Sequence, residues 1–116
     1  MYPWKNDMKL WVDAKRPAPE GWVWVKTAKE AIKILSEGKV KELALDHDLG
    51  LGAGNGYQVI CWLEEVVLTG FYLVAYGKCP PTIKCHSQNP VGKIRIEAAI
   101  RSIDKYMYSL NRPLKK

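Results

Sequence analysis

Three short apolar runs in this chain each stop abruptly at a compact polar cluster, and that punctuation constrains the fold more than any other feature. Leu10-Trp11-Val12 ends at Asp13, with Arg16 three residues on. Leu43-Ala44-Leu45 ends at Asp46-His47-Asp48. Thr82-Ile83-Lys84-Cys85 ends at His86-Ser87-Gln88-Asn89-Pro90. If the runs are parallel strands, all three clusters fall at strand carboxyl ends, the edge where open α/β sheets bind ligands and do chemistry. The chain's two histidines both lie in these clusters.

The segments between the runs alternate in type. After a loop with two prolines and a glycine, Trp22 to Lys26 reads as a second short strand. Thr27 with Glu30 forms a capping-box signal, and Ala28, Ala31, Ile32 and Leu35 recur at helical spacing before Gly38. Val40 to Asp46 is a strand without strict alternation, as expected of one covered on both faces. Gly50, Gly52, Gly54 and Gly56 make a loop, and a helix follows from Tyr57 to Leu68 with Val59, Ile60, Leu63 and Val67 on its apolar side. The run from Phe71 to Gly77 fits either an added edge strand or an extension of that helix. Asn89 and Pro90 mark the start of a last helix that buries Ile96, Ala99, Ile100, Ile103 and Met107. This order predicts one α/β domain over residues 1–116, a three-layer α/β/α, flavodoxin-like arrangement. Its short, mostly parallel sheet is expected to have about four strands in the order 2-1-3-4. A basic tail is expected from about residue 109.

At 116 residues the chain is long enough to bury a core without disulfides or structural metal. No apolar stretch reaches the roughly 18 residues of a membrane span, and Met1 to Lys9 lacks a signal-peptide core. The cytoplasm is the expected location. Cys61, Cys79 and Cys85 follow no zinc-ligand spacing and are expected to be reduced thiols. The net charge of +6, much of it late in the chain, leans toward anionic partners, nucleic acid among them, through a basic surface. No protein partner is indicated. Trp11, Trp22, Trp24 and Trp62 are expected to pack in the core, and Trp4 to be exposed.

The clusters suggest chemistry. Asp46 and Asp48 around His47 suit either a divalent cation or a histidine oriented as acid or base. Magnesium commonly takes one or two carboxylates, and Asp13 on a neighbouring strand would add one. The plainer alternative has Asp48 capping the glycine turn beside an exposed His47. His86, Ser87 and Asn89 lie where a helix N-terminus would point at an anion. Ser87 and Asn89 suit phosphate oxygens, and His86 suits protonation of a leaving oxygen. The alternative is ordinary helix capping. Arg16 is a candidate phosphate clamp. The glycine spacing matches neither the dinucleotide fingerprint nor the phosphate loop.

These residues resemble the receiver domain of two-component response regulators, with Asp13, Asp46 and Ser87 in matching order. The likeness is closer to a divergent branch, the cyclic-phosphate-processing receiver domains. It covers nearly the whole chain and rests on Leu10-Trp11-Val12-Asp13-Ala14-Lys15-Arg16-Pro17, Leu45-Asp46-His47-Asp48-Leu49-Gly50 and His86-Ser87-Gln88-Asn89-Pro90-Val91-Gly92. The resemblance implies a receiver-like fold, magnesium at Asp13 and Asp46, to which the cluster reading adds Asp48, and a nucleotide or RNA cyclic phosphate as the partner. Four departures stand out. Ala14 replaces the second acid usual after the first strand, which weakens a metal site, and Phe71 to Lys78 is longer than the usual link into Pro80-Pro81. The helix between the first two strands is missing, and the fifth-strand lysine of signalling receivers has no counterpart. A phosphorelay switch is therefore not expected. The leading expectation is a phosphoesterase opening a 2′,3′-cyclic phosphate, with His47, His86 and Asp46 catalytic and Arg16, Ser87 and Asn89 holding the phosphate. In a variant, Asp46 is the nucleophile. The alternatives are a module that binds a cyclic nucleotide or RNA end without turnover, motivated by Ala14, and a receiver-like interaction protein using residues 71–77 and the basic tail.

Overall fold

The computed structural model describes residues 7–111. Four strands, β1 (Met8–Val12), β2 (Val23–Val25), β3 (Val40–Leu45) and β4 (Thr82–Cys85), form one all-parallel sheet in the order β2-β1-β3-β4. The expected strand order and the parallel, receiver-like α/β class hold.

Helices begin where side chains satisfy their free N–H groups. α1 (Ala28–Leu35) starts at Thr27, whose hydroxyl accepts from Glu30 N. The Glu30 carboxylate in turn accepts from Lys26 N and the Thr27 hydroxyl. α2 (Gly56–Leu68) carries a reciprocal capping box between Asn55 and Gln58, a pair embedded in the glycine loop. α4 (Pro90–Asn111) opens under Asn89, whose Oδ1 accepts from Gly92 N. α4 runs into the segment expected to be a tail, and the residues beyond Asn111 lie outside those described, as does Trp4.

Phe71 to Gly77 is neither a strand nor a continuation of α2. Gly70 adopts a left-handed conformation (φ 82°) that ends α2, and the chain restarts as a separate short helix, α3 (Phe71–Tyr76). Helical rather than alternating contacts explain the choice: Tyr72 is fully buried, and Tyr76, one turn on, packs on its ring and donates its hydroxyl to Ser36 O.

Strand register assigns the two faces of the sheet, since side chains alternate along a strand. One face carries Leu10, Val12, Val25, Leu43, Leu45, Ile83 and Cys85. These pack with Ala31 and Leu35 of α1, Val59, Ile60 and Leu63 of α2, Tyr72 of α3, and Ile96 and Ile103 of α4. The opposite face carries Lys9, Trp11, Trp24, Glu42, Ala44, Thr82 and Lys84; of these only Ala44 is buried, and none belongs to the cluster on the first face. Topology gives the reason. The β2-α1-β3 and β3-α2-β4 crossovers run in the same direction across the sheet, so both right-handed connections cover the same face. A helix between β1 and β2 would run the other way, and only a loop is found there. The expected third layer is thus made of side chains and that loop rather than helix.

The tryptophan expectation needs the same correction. Trp24 is 38% exposed, and Trp11 and Trp22 are half-buried outside the core cluster, because all three belong to the helix-free side. Trp62 on α2 does pack against the core. The three cysteines are free thiols. No described helix is long and apolar enough to cross a membrane.

Candidate active site at the carboxyl edge

The sheet ladder continues one residue past each strand. Asp13 N donates to Val25 O (3.1 Å), Asp46 N to Val12 O (2.9 Å) and His86 N to Leu45 O (2.9 Å). Parallel hydrogen bonding therefore sets Asp13, Asp46 and His86 side by side, as the polar clusters predict.

Asp13 is buried, 1% exposed, and all of its acceptor capacity is used. Oδ1 accepts from the backbone N–H groups of Lys15 and Arg16, both at 2.8 Å. Oδ2 accepts from Arg16 Nε at 3.1 Å and faces His86 Nε2 at 3.0 Å. Burial pushes this carboxyl up. The bonds from Arg16, Lys15 and His86 and the Arg16 charge outweigh it, so the group ionises below its ordinary value.

His86 lies flat against Trp11, with ring centroids 4.1 Å apart and planes 8° from parallel. Against an ionised Asp13, Nε2 must carry the proton. Nδ1 is buried and finds no partner. A second ring N–H would have nowhere to go, and burial accordingly pulls the His86 pKa down, with Asp13 opposing only in part.

Arg16 spans the strand ends. Its Nη2 donates to His86 O at 2.9 Å and stands 3.9 Å from Asp46 Oδ2. No described residue accepts from its Nη1. Asp46 is the contrast to Asp13: its side chain is 13% exposed and accepts no hydrogen bond from a described residue.

A second group sits beside the first. His47 Nδ1 meets Asp48 Oδ1 at 2.8 Å, and Asn89 Nδ2 donates to the same carboxylate at 3.2 Å. The bonds from His47 and then Asn89 hold Asp48 below its ordinary pKa. Asn89 caps α4 through Oδ1, the plainer of the two roles considered for it, and its Nδ2 is turned to Asp48. Ser87 takes the plainer role, its buried hydroxyl accepting from Asn89 N within the turn.

Between the groups lies a cleft of about 430 Å³ lined by Asp13, Ala14, Lys15, Arg16, Asp46, Asp48, Gly50 and Gln88. Asp13, Arg16, Asp46 and Asp48 were expected at the site and line it. His47, His86, Ser87 and Asn89 stand outside the wall and touch it through those partners. Lys15 and Gln88 were not singled out from sequence; their only signal is membership of the same polar clusters. Trp11, as the plate under His86, and Gly92 were missed as well. A Cβ on Gly92 would meet the His47 ring at 2.3 Å, so the α4 backbone itself seats that imidazole.

The magnesium implied by the receiver resemblance does not fit this arrangement. Asp13 would have to release four part-buried donor bonds in order to ligate it, with the loss of the loop geometry they hold. Asp48 is committed to His47 and Asn89, and the positive charge facing Asp46 is the Arg16 guanidinium. Among the described residues, no three His, Cys, Asp or Glu side chains gather as a metal site.

No curated protein and no solved structure shows significant similarity to the chain. The family model of the cyclic-phosphate processing receiver domain matches residues 8–102, from β1 well into α4 and across every cluster described above, and the chain belongs to that family.

Proposed function

We propose that the chain hydrolyses a 2′,3′-cyclic phosphate, with the carboxyl-edge cleft as its active site. The observation that carries this reading is a carboxylate and a guanidinium edge facing one cleft. Asp46 accepts no hydrogen bond from a described residue and stands 3.9 Å from Arg16 Nη2, and Arg16 is braced by Asp13 and His86 O with its Nη1 hydrogens turned to no described partner. In this scheme Arg16 and Lys15 hold the non-bridging phosphate oxygens and stabilise the charge that builds on them. Asp46 takes a proton from water as that water forms its bond to phosphorus. The P–O2′ bond breaks, water in the cleft gives the departing ribose oxygen its proton, and Asp46 returns its own to solvent, while the His47–Asp48 pair holds the cleft wall. The product is a 3′-phosphomonoester. His86 acts as a positioning residue, since it braces Asp13 and hence Arg16 without lining the cleft.

The direct test is product analysis of a 2′,3′-cyclic mononucleotide with wild type, Asp46→Asn and Arg16→Ala, each with magnesium and with chelator. Ring opening by wild type in both conditions is expected, with a loss of roughly 10²–10⁴ in Asp46→Asn, the usual weight of one positioned base. An intact ring in every lane sinks the hydrolytic reading.

Capture of the cyclic phosphate without turnover is the second reading, and His86 favours it. Nε2 is held by Asp13 and Nδ1 is buried, so this histidine presents no nitrogen to a ligand. Calorimetry showing saturable binding with the ligand recovered intact would select it.

A further inference from the structure

We propose that the helix-free face of the sheet is a binding platform for single-stranded RNA that leads a 3′ end into the cleft. All-parallel sheets are ordinarily covered on both faces. Here no described helix covers one face, and that face carries tryptophan and lysine. Trp24 is 38% exposed and Trp22 half-exposed. Lys26 Nζ lies 4.6 Å from the Trp24 ring centroid, and Lys9 Nζ lies 5.9 Å from that of Trp22. Lys84 stands exposed on β4, in register with Ala44. Of the strand residues on this face, Glu42 is the only acid, and it sits 3.9 Å from Lys9.

Rings interleaved with ammonium groups are what a sequence-tolerant reader of single strands requires. Bases stack on the rings and phosphates meet the cations. The chain's net charge of +6 has the complementary sign. The platform is also continuous with the cleft. Trp24 Nε1 donates to Asp13 O at 2.7 Å, Trp11 Nε1 donates to Arg16 O at 2.9 Å, and Trp11 carries His86 on its face. A strand lying on the tryptophans therefore ends beside Arg16 and Asp46. A 2′,3′-cyclic phosphate needs a ribose, which commits the platform to RNA. The direction of the strand rests on the cyclic-phosphate reading; the stacking and charge argument stands without it.

Tryptophan-fluorescence titrations test the idea with three probes: uridine 2′,3′-cyclic monophosphate, an oligouridylate ending in a 3′-hydroxyl, and the same oligomer ending in a 2′,3′-cyclic phosphate. Wild type, Trp24→Ala and Lys84→Glu are compared. Both oligomers are expected to bind wild type more tightly than the mononucleotide, with a log–log salt slope of about −2 if three lysines meet phosphates. Trp24→Ala is expected to weaken the oligomers at least about fivefold, the low end of one stacked base. Lys84→Glu, an exposed change, is expected to weaken them too, and it decides the matter if Trp24→Ala does not fold. Oligomers that bind no better than the mononucleotide, or bind both variants like wild type, overturn the platform. So does self-association of wild type through this face that Lys84→Glu abolishes, with no oligomer binding. Equal affinity for the two oligomer ends, with the variants still weakened, overturns the cleft reading and leaves the platform standing.

Discussion

Two aspartates at matching strand ends have opposite duties, and hydrogen bonding separates them. Asp13 is an anchor: it organises the loop through Lys15 and Arg16 and pins His86. Asp46 accepts no hydrogen bond from a described residue, meets only the Arg16 guanidinium at 3.9 Å, and faces the cleft. Asp13→Asn is therefore expected to cost about 3 kcal/mol, because it removes the charge from several buried, charge-assisted bonds and turns an N–H₂ toward donors. Asp46→Asn is expected to leave stability nearly unchanged while lowering turnover by roughly 10²–10⁴. Urea unfolding of both variants checks this, and a Asp46→Asn protein as unstable as Asp13→Asn would refute the division. The residue types and order of the polar clusters were readable in the sequence. The division of labour between identical side chains was not, since it depends on donors that only the folded loop supplies.

At the scale of elements, helix starts set the site's precision. The first residue of α2 and the third of α4 are both glycines in close contact with it. A Cβ on Gly56 would meet Asp46 O at 2.2 Å, and one on Gly92 would meet the His47 ring. Neither needs a left-handed backbone; both are required by proximity. Gly92→Ala is expected to destabilise by about 1–3 kcal/mol through overpacking and to displace the His47 imidazole. Imidazole chemical shifts, compared with wild type, report the displacement, and unchanged shifts would count against the contact. Caps at Thr27 and Asn89 were legible because a capping side chain and its helix are neighbours in sequence. The short helix α3 was not, since a six-residue apolar run satisfies either period until Tyr72 finds the core and Gly70 its left-handed turn.

For the whole molecule, the buried pair His86–Asp13 ties stability to pH in one direction. Burial lowers the His86 pKa from its ordinary 6.5, so the unfolded chain takes up that proton first as pH falls. Stability is then lost from about the ordinary value down to the lowered folded one. Asp13 ionises below its ordinary 3.8, so its contribution is present above that value and is lost as pH falls further, through the folded pKa. Both groups predict a protein that weakens on acidification. Urea midpoints are expected to drop between about pH 7.5 and about pH 5, and His86→Asn is expected to flatten that limb. A midpoint that rises over this interval would contradict the assignment.

The sequence by itself determined the mostly parallel sheet and the edge on which the polar clusters gather. Those follow from short-range signals: apolar runs, caps, and polar residues that stop a strand. It also carried the motifs that place the chain among the cyclic-phosphate processing receiver domains. Only the tertiary structure decided that Asp13 braces rather than ligates, that His86 is shelved on Trp11, and that three tryptophans stand on a face without helices. Each depends on contacts between residues far apart in the chain, such as Asp13 and His86, 73 positions apart. The handedness of the crossovers, which composition does not encode, then left one side of the sheet open.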